Sequence, residues 1–278
     1  MLLTSYEGQT IFTFVCTFGG IYFFYLSTKW KNFMVLWWNH ERHFLVQPYS
    51  DKIKSTYVKK MRFVAVSTIL LAILDHYIYF ISAIENTKIK IEFCDASKRD
   101  FWKILYVNER QVLFMLLPYH SALPPFLEWY EVVKTMCWTY SEVFVSCISI
   151  VLSTRFQQLT NRLKFYEKHH LSESFWNEIR EDYNIISNLV LKADKILSPI
   201  VIVYSFSNLF FICQKIFVQF EKKKIAWDRY YSLYSSIFLI SRTAYMLYFG
   251  AEVNEKSREV LQILREVPSE TFDGINVN

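Results

Sequence analysis

Four ionisable side chains, Asp75, His76, Glu142 and Arg242, sit near the middle of long apolar runs. In a bilayer such a charge costs roughly 2.5 to 3.5 kcal/mol on translocon scales, so each group must face protein interior or water. At about 1.5 Å per residue, Glu142 and Arg242 fall at nearly the same depth, about 15 Å from the inner edge, with Asp75 about 4 Å further out. Two readings follow. Glu142 and Arg242 form a structural ion pair that fixes helix packing, or these groups line a water-filled pocket and hydrogen-bond a polar ligand. Trp138, Tyr140, Tyr77 and Tyr79 stand close by in sequence, each either a packed or interfacial aromatic or a flat surface for a ligand to stack on.

Other chemistry is poorly supported. HERH (40 to 43) carries two histidines at i, i+3, without the HExxH spacing or a nearby acidic third ligand, and reads as a solvated juxtamembrane helix. His169 and His170 make a similarly weak case. Cys16, Cys94, Cys137, Cys147 and Cys213 form no CxxC pair or zinc spacing, so neither a metal nor a disulfide framework is expected. GxGxxG, GxxxxGK[ST] and GxSxG are absent, and only 5 glycines occur, which leaves no phosphate-cradling loop or nucleophile elbow. No cofactor, metal or catalytic constellation is expected, and the chain does not read as an enzyme.

The elements that hold these residues are set by composition. With 53% hydrophobic and 19% aromatic residues and a mean hydropathy of +0.14, this is a membrane chain whose first partner is the lipid bilayer. A net charge of +5 comes without the basic and aromatic interleaving of a nucleic-acid surface, so no nucleic acid is expected. The N-terminus lacks a basic n-region and a small-residue cleavage site, and its first apolar run reads as a retained span.

Five stretches are long and apolar enough to cross: 10–28, 63–84, 132–152, 196–218 and 230–251. VLFMLL (112 to 117), ending in Pro118, is too short and reads as part of a folded or re-entrant loop. Lys and Arg counts favour an outer N-terminus, with 29–60, 153–195 and the C-terminal segment inside and 85–131 outside; Lys222, Lys223 and Lys224 in a short outer loop argue against it. Helical stripes continue beyond the spans: Phe156, Leu159 and Leu163; Phe175, Ile179, Tyr183, Ile186 and Leu189 or Val190; Val253, Val260, Ile263, Leu264 and Val267. The expected fold is therefore one all-α membrane domain over 1–278, a bundle of five transmembrane helices projecting into the cytoplasm and packing there.

Four blocks then carry a resemblance. RTAYMLYFGAEVNEKSREVLQILREVPSE (242 to 270), STKWKNFMVLWW (27 to 38), AILDHYIYF (72 to 80) and WTYSEVFVSCISIVLSTRFQQLTNRL (138 to 163) resemble insect gustatory receptors, in particular the sugar-receptor branch. The resemblance implies a seven-span, ligand-gated cation channel, tetrameric with its own kind or with other gustatory receptor subunits, in the plasma membrane of gustatory sensory neurons. The five spans here look like the second to the sixth. The family's last, pore-lining span should follow VPSE, whereas the chain stops at TFDGINVN. The resemblance thus implies an incomplete sweet-taste receptor subunit, or a truncated, non-conducting chain that co-assembles with intact receptors or has no activity alone. It makes Asp75, His76, Tyr79, Trp138, Tyr140 and Glu142 candidates for binding a sugar.

Overall fold

The computed structural model describes residues 2–49, 51–93, 101–166, 172–219 and 226–266. Cys94, His169, His170, Lys222 to Lys224 and everything after Glu266, including Val267 and TFDGINVN, lie outside them. The described residues are helical throughout, with no strand: α1 (Leu2–Glu41), a 3-10 turn (Arg42–Leu45), α2 (Asp51–Phe93), α3 (Phe101–Glu109), α4 (Gln111–Leu116), α5 (Leu123–Tyr166), α6 (Glu173–Gln219) and α7 (Ala226–Arg265). VLFMLL, expected in a folded or re-entrant loop, lies largely in the short α4.

Five spans were expected, and four described helices, α1, α2, α5 and α6, are long and apolar enough to cross a membrane. The fifth stretch, 230–251, lies within α7 and is long enough. Its apolar run is diluted by Ser232, Ser235, Ser236, Ser241 and Arg242. These helices turn aliphatic and aromatic side chains outward, among them Phe63, Leu70, Phe206, Leu209 and Ile237, the reverse of a water-soluble protein. α5 is the most deeply buried of the four. It tolerates its serines and threonines because their hydroxyls bond back to carbonyls of their own helix, Ser141 to Cys137, Ser146 to Glu142 and Thr154 to Ile150.

The chain divides into two compact units, each drawing segments from all the long helices. The first comprises 1–21, 67–141 and 203–243; the second comprises 22–66, 142–202 and 244–278. In the second unit the expected stripes meet in one core, with Phe156, Leu159, Leu163, Ile179, Ile186 and Val260 packed against Phe44 and Tyr49. Beside it lies a buried polar cluster. The Asp182 carboxylate accepts the Tyr49 hydroxyl, the Arg162 guanidinium at 3.3 Å and His43 Nε2 at 2.7 Å. Burial, reinforced by Asp182, pushes the Tyr49 phenol up from its ordinary value, so it stays protonated as the donor. His43 was expected on a solvated helix and its side chain is exposed; the fold also supplies it an acid from α6, 139 positions along the chain, a partner that local spacing cannot reveal. Arg155, 1% exposed, is held by Glu41, by Tyr57 at 3.2 Å and by Gln158 at 2.8 Å. Pro199 interrupts the α6 hydrogen-bond ladder, and nearby the Tyr22 hydroxyl bonds the Ile196 carbonyl at 2.9 Å.

Candidate functional site

The first unit holds a partly open cavity of about 920 Å³, toward the upper end of the range for small-molecule sites, about 300 to 1,000 Å³. Every helix contributes to its wall. On α2 and α5 it spans from Asp75 to Tyr79 and from Leu127 to Trp138, and on α7 from Tyr231 to Arg242. The α5 and α7 stretches are each twelve residues long, eleven rises of about 1.5 Å, so the cavity runs along about 17 Å of both helices. A second void, of about 10 Å³ beside Tyr106 and Glu128, holds one water at most and is no ligand site.

The floor is aromatic. Trp138, 2% exposed, stacks on Phe12 with ring centroids 5.1 Å apart, meets Phe211 and Tyr204 edge-on, and donates its indole N–H to Asn208 at 3.2 Å. Arg242 lies over the Trp138 ring at 5.5 Å and over Phe238 at 5.3 Å. Trp138 is therefore a packed floor plate that holds Arg242, more than an open stacking surface.

The walls carry charges of both signs, set against one another. Glu131 of α5 pairs with Arg110 and, at 2.5 Å, with Lys134 one turn on. The Lys134 ammonium also lies over the Phe12 and Tyr130 rings, and Lys215 reaches the Ser235 hydroxyl at 2.7 Å and the face of Tyr231. Each wall cation thus has an acid, a hydroxyl or a ring beside it, which lowers the cost of holding it there. For Arg110 burial is the largest single influence and works against the charge, but Glu131, Tyr79 and Glu128 together outweigh it and the guanidinium's pKa is raised above its ordinary value. Asp75 borders the Lys215 and Ser235 cluster, with its Oδ1 buried and unbonded among the described residues. His76 Nε2 stands 3.7 Å from Glu128, and the Tyr79 hydroxyl donates to Glu109 at 2.9 Å. Charges balanced at this range leave a wall rich in donors and acceptors but without a strong field of either sign. That suits a neutral ligand with many hydroxyls.

Of the residues singled out in the sequence, Asp75, His76, Tyr79, Trp138 and Arg242 converge on this cavity. Tyr140 and Tyr77, 54% and 60% exposed, do not line it. Glu142 is fully buried and belongs to the second unit, while Arg242 belongs to the first. The sequence reading missed Glu109, Arg110, Glu131, Lys134 and Lys215, which lie at span ends where charge is unremarkable. Only the i, i+3 spacing of Glu131 and Lys134 gave a signal.

The chain is an all-helical membrane protein whose first unit holds a cavity of small-molecule size lined by polar and aromatic side chains. Residues 3–274 match the trehalose receptor family, and the chain belongs to it, within the sugar branch of the insect gustatory receptors; these are receptors, not enzymes. It is 30% identical over 268 residues to the Drosophila melanogaster gustatory receptor for sugar taste 64b, covering 93% of this chain and 64% of that protein. Similarity to sugar taste receptor 64a is 29% over 91% of this chain and 55% of the relative. For the Drosophila gustatory receptor 5a for trehalose it is 26%, over 76% and 46%. The chain spans roughly half to two thirds of the length of these relatives.

Proposed function

We propose that this chain forms the sugar-binding part of a gustatory receptor subunit, and that a neutral sugar occupies the cavity between Tyr231 and Trp138. The observation that carries this reading is the wall itself: about 920 Å³ lined by mutually compensated acids, bases and hydroxyls over an aromatic floor, in a chain of a family named for trehalose. Asp75, His76 and Tyr79 take the ligand's hydroxyls, and Trp138 with Arg242 sets the depth to which it enters. The subunit acts in the plasma membrane of gustatory neurons, assembled with other subunits into a sugar-gated cation channel. α7 crosses the bilayer as a fifth span, with 85–131 outside and 29–60 inside.

Thermal inactivation of the detergent-solubilised protein tests the binding step. A ligand at ten times its Kd adds about 1.4 kcal/mol to the folded state. Sugars also stabilise proteins by exclusion from their surface. The informative comparison is therefore between the parent and Asp75→Asn at equal sugar concentration. A saturable shift with trehalose or another neutral sugar, reduced in the variant, is expected. Shifts that are linear in concentration and identical in both proteins would refute the site.

A further inference from the structure

At the end of the cavity that the proposed topology turns outward, α3 gives way to α4 at one dipeptide, Glu109–Arg110. Arg110 has backbone angles of −131° and 45°, outside the helical range, so the chain bends there. Three ties leave this junction for three different helices. The Glu109 carboxylate takes the Tyr79 hydroxyl of α2, the Glu109 carbonyl takes the Gln9 side-chain amide of α1 at 3.0 Å, and Arg110 pairs with Glu131 of α5. All five residues line the cavity. Below the junction, α3 is anchored by Leu105 and Tyr106 against Ala83 and Leu127. The body of α3 is thus fixed by apolar packing, while the junction over the cavity is held by polar groups.

We propose that Glu109–Arg110 is the latch that admits ligand to this cavity, and that Arg110 is the residue that sets the rate of entry. A ligand with many hydroxyls is the class that passes most readily, because it can replace each tie with one of its own: a hydroxyl donates to Glu131 or Glu109 as Arg110 or Tyr79 lets go, and its oxygens accept from the released donors. An apolar molecule of the same size would leave those groups unpaired. An anion would engage Arg110 only by taking it from Glu131, and would bring a second negative charge beside that carboxylate, which Lys134 would then be left to balance.

The inference rests on the ligand site proposed above, and its test separates the two. Thr135 lines the cavity one turn below Glu131. Thr135→Cys in the full chain, purified in detergent, is reacted with a charged methanethiosulfonate reagent in the absence of sugar, with the chain lacking the added cysteine as background. Arg110→Gln and Glu131→Gln are each expected to raise the labelling rate about tenfold or more, and Arg110→Lys, which keeps the charge beside Glu131, much less. Tyr79→Phe removes a single hydroxyl and retains the ring, so it keeps the test open should the charge variants fold poorly; a severalfold rise is expected. Unchanged rates in Tyr79→Phe and in whichever charge variants fold, or a cysteine equally unreactive in all of them, overturn the latch. Protection of Thr135→Cys by added trehalose reports separately on the ligand site; faster labelling without such protection keeps the latch and rejects the sugar.

Discussion

Two adjacent glycines of α1 differ sharply in what surrounds them. A methyl group added at Gly20 meets nothing within 4 Å, whereas one added at Gly19 runs into the Tyr204 hydroxyl and comes within 3.3 Å of the ring carbon bearing it. Tyr204 cannot easily give way, being fully buried with its ring edge-on to Trp138 at 5.6 Å. Gly→Ala in a helix interior gains about 1 kcal/mol in either place. Overpacking costs about 1 to 3 kcal/mol and falls on Gly19 alone. Gly19→Ala should therefore be about 1 to 3 kcal/mol less stable than Gly20→Ala, a comparison in which the propensity gain cancels.

The structure also names the rescue. Tyr204→Phe removes the clashing oxygen, so Gly19→Ala should cost far less in the Tyr204→Phe background than in the parent, a coupling of about 1 kcal/mol or more. Thermal inactivation midpoints of the four proteins in one detergent measure it. Because Tyr204 abuts the Trp138 floor, Gly19→Ala should weaken sugar binding in the same order as it lowers stability. Equal midpoints for Gly19→Ala and Gly20→Ala, or strict additivity with Tyr204→Phe, would refute the packing argument.

Three further outcomes are expected. Arg155→Ala strands the Glu41 carboxylate and should cost about 3 to 5 kcal/mol, while Glu41→Gln with Arg155→Met recovers much of that; surface expression reads both, and no recovery would mean the pair is not coupled. Lys103→Cys, on the segment proposed to lie outside, should be labelled on intact cells by an impermeant thiol reagent, and labelling only after permeabilisation would overturn that orientation. Lys164 and Lys256 hold the partly exposed Glu259 carboxyl below its ordinary value of 4.5, so its small stabilisation is present above that pH and lost as pH falls through the lowered value. Glu259→Gln should flatten the acid limb of the stability profile, and identical limbs would contradict this.

What the sequence disclosed and what it hid follow from how far each interaction reaches along the chain. The stripes of Phe156, Leu159 and Leu163 on α5 and of Ile179 and Ile186 on α6 were visible because helical periodicity is local, and these residues do meet in one core. Asp75 and Arg242 stood out because an ionisable group in an apolar run has few explanations. Arg110, by contrast, looks like any loop arginine. Its role comes from Glu131, 21 positions away, and from a bend that only the packed α3 imposes. The acid beside His43 stayed hidden for the same reason, being 139 positions distant.

The division has a physical basis that bears on ligand recognition. Along the spans, lipid enforces apolarity, so any polar residue there announces itself; at the span ends water removes that constraint, and charges such as Glu109, Glu131 and Lys215 become indistinguishable from solubilising ones. In the proposed topology the cavity lies across this boundary, with Trp138 and Arg242 at its deep end and Glu109, Arg110 and Glu131 at its outer end. Changes at the deep end should therefore carry a folding cost along with any effect on affinity, because Trp138 is fully packed and Arg242 rests on it. Changes at the outer end should alter ligand preference and entry at little cost in stability. A receptor that diversifies its sugars would be freest to do so at the outer end, where Arg110 and Tyr79 make their ties.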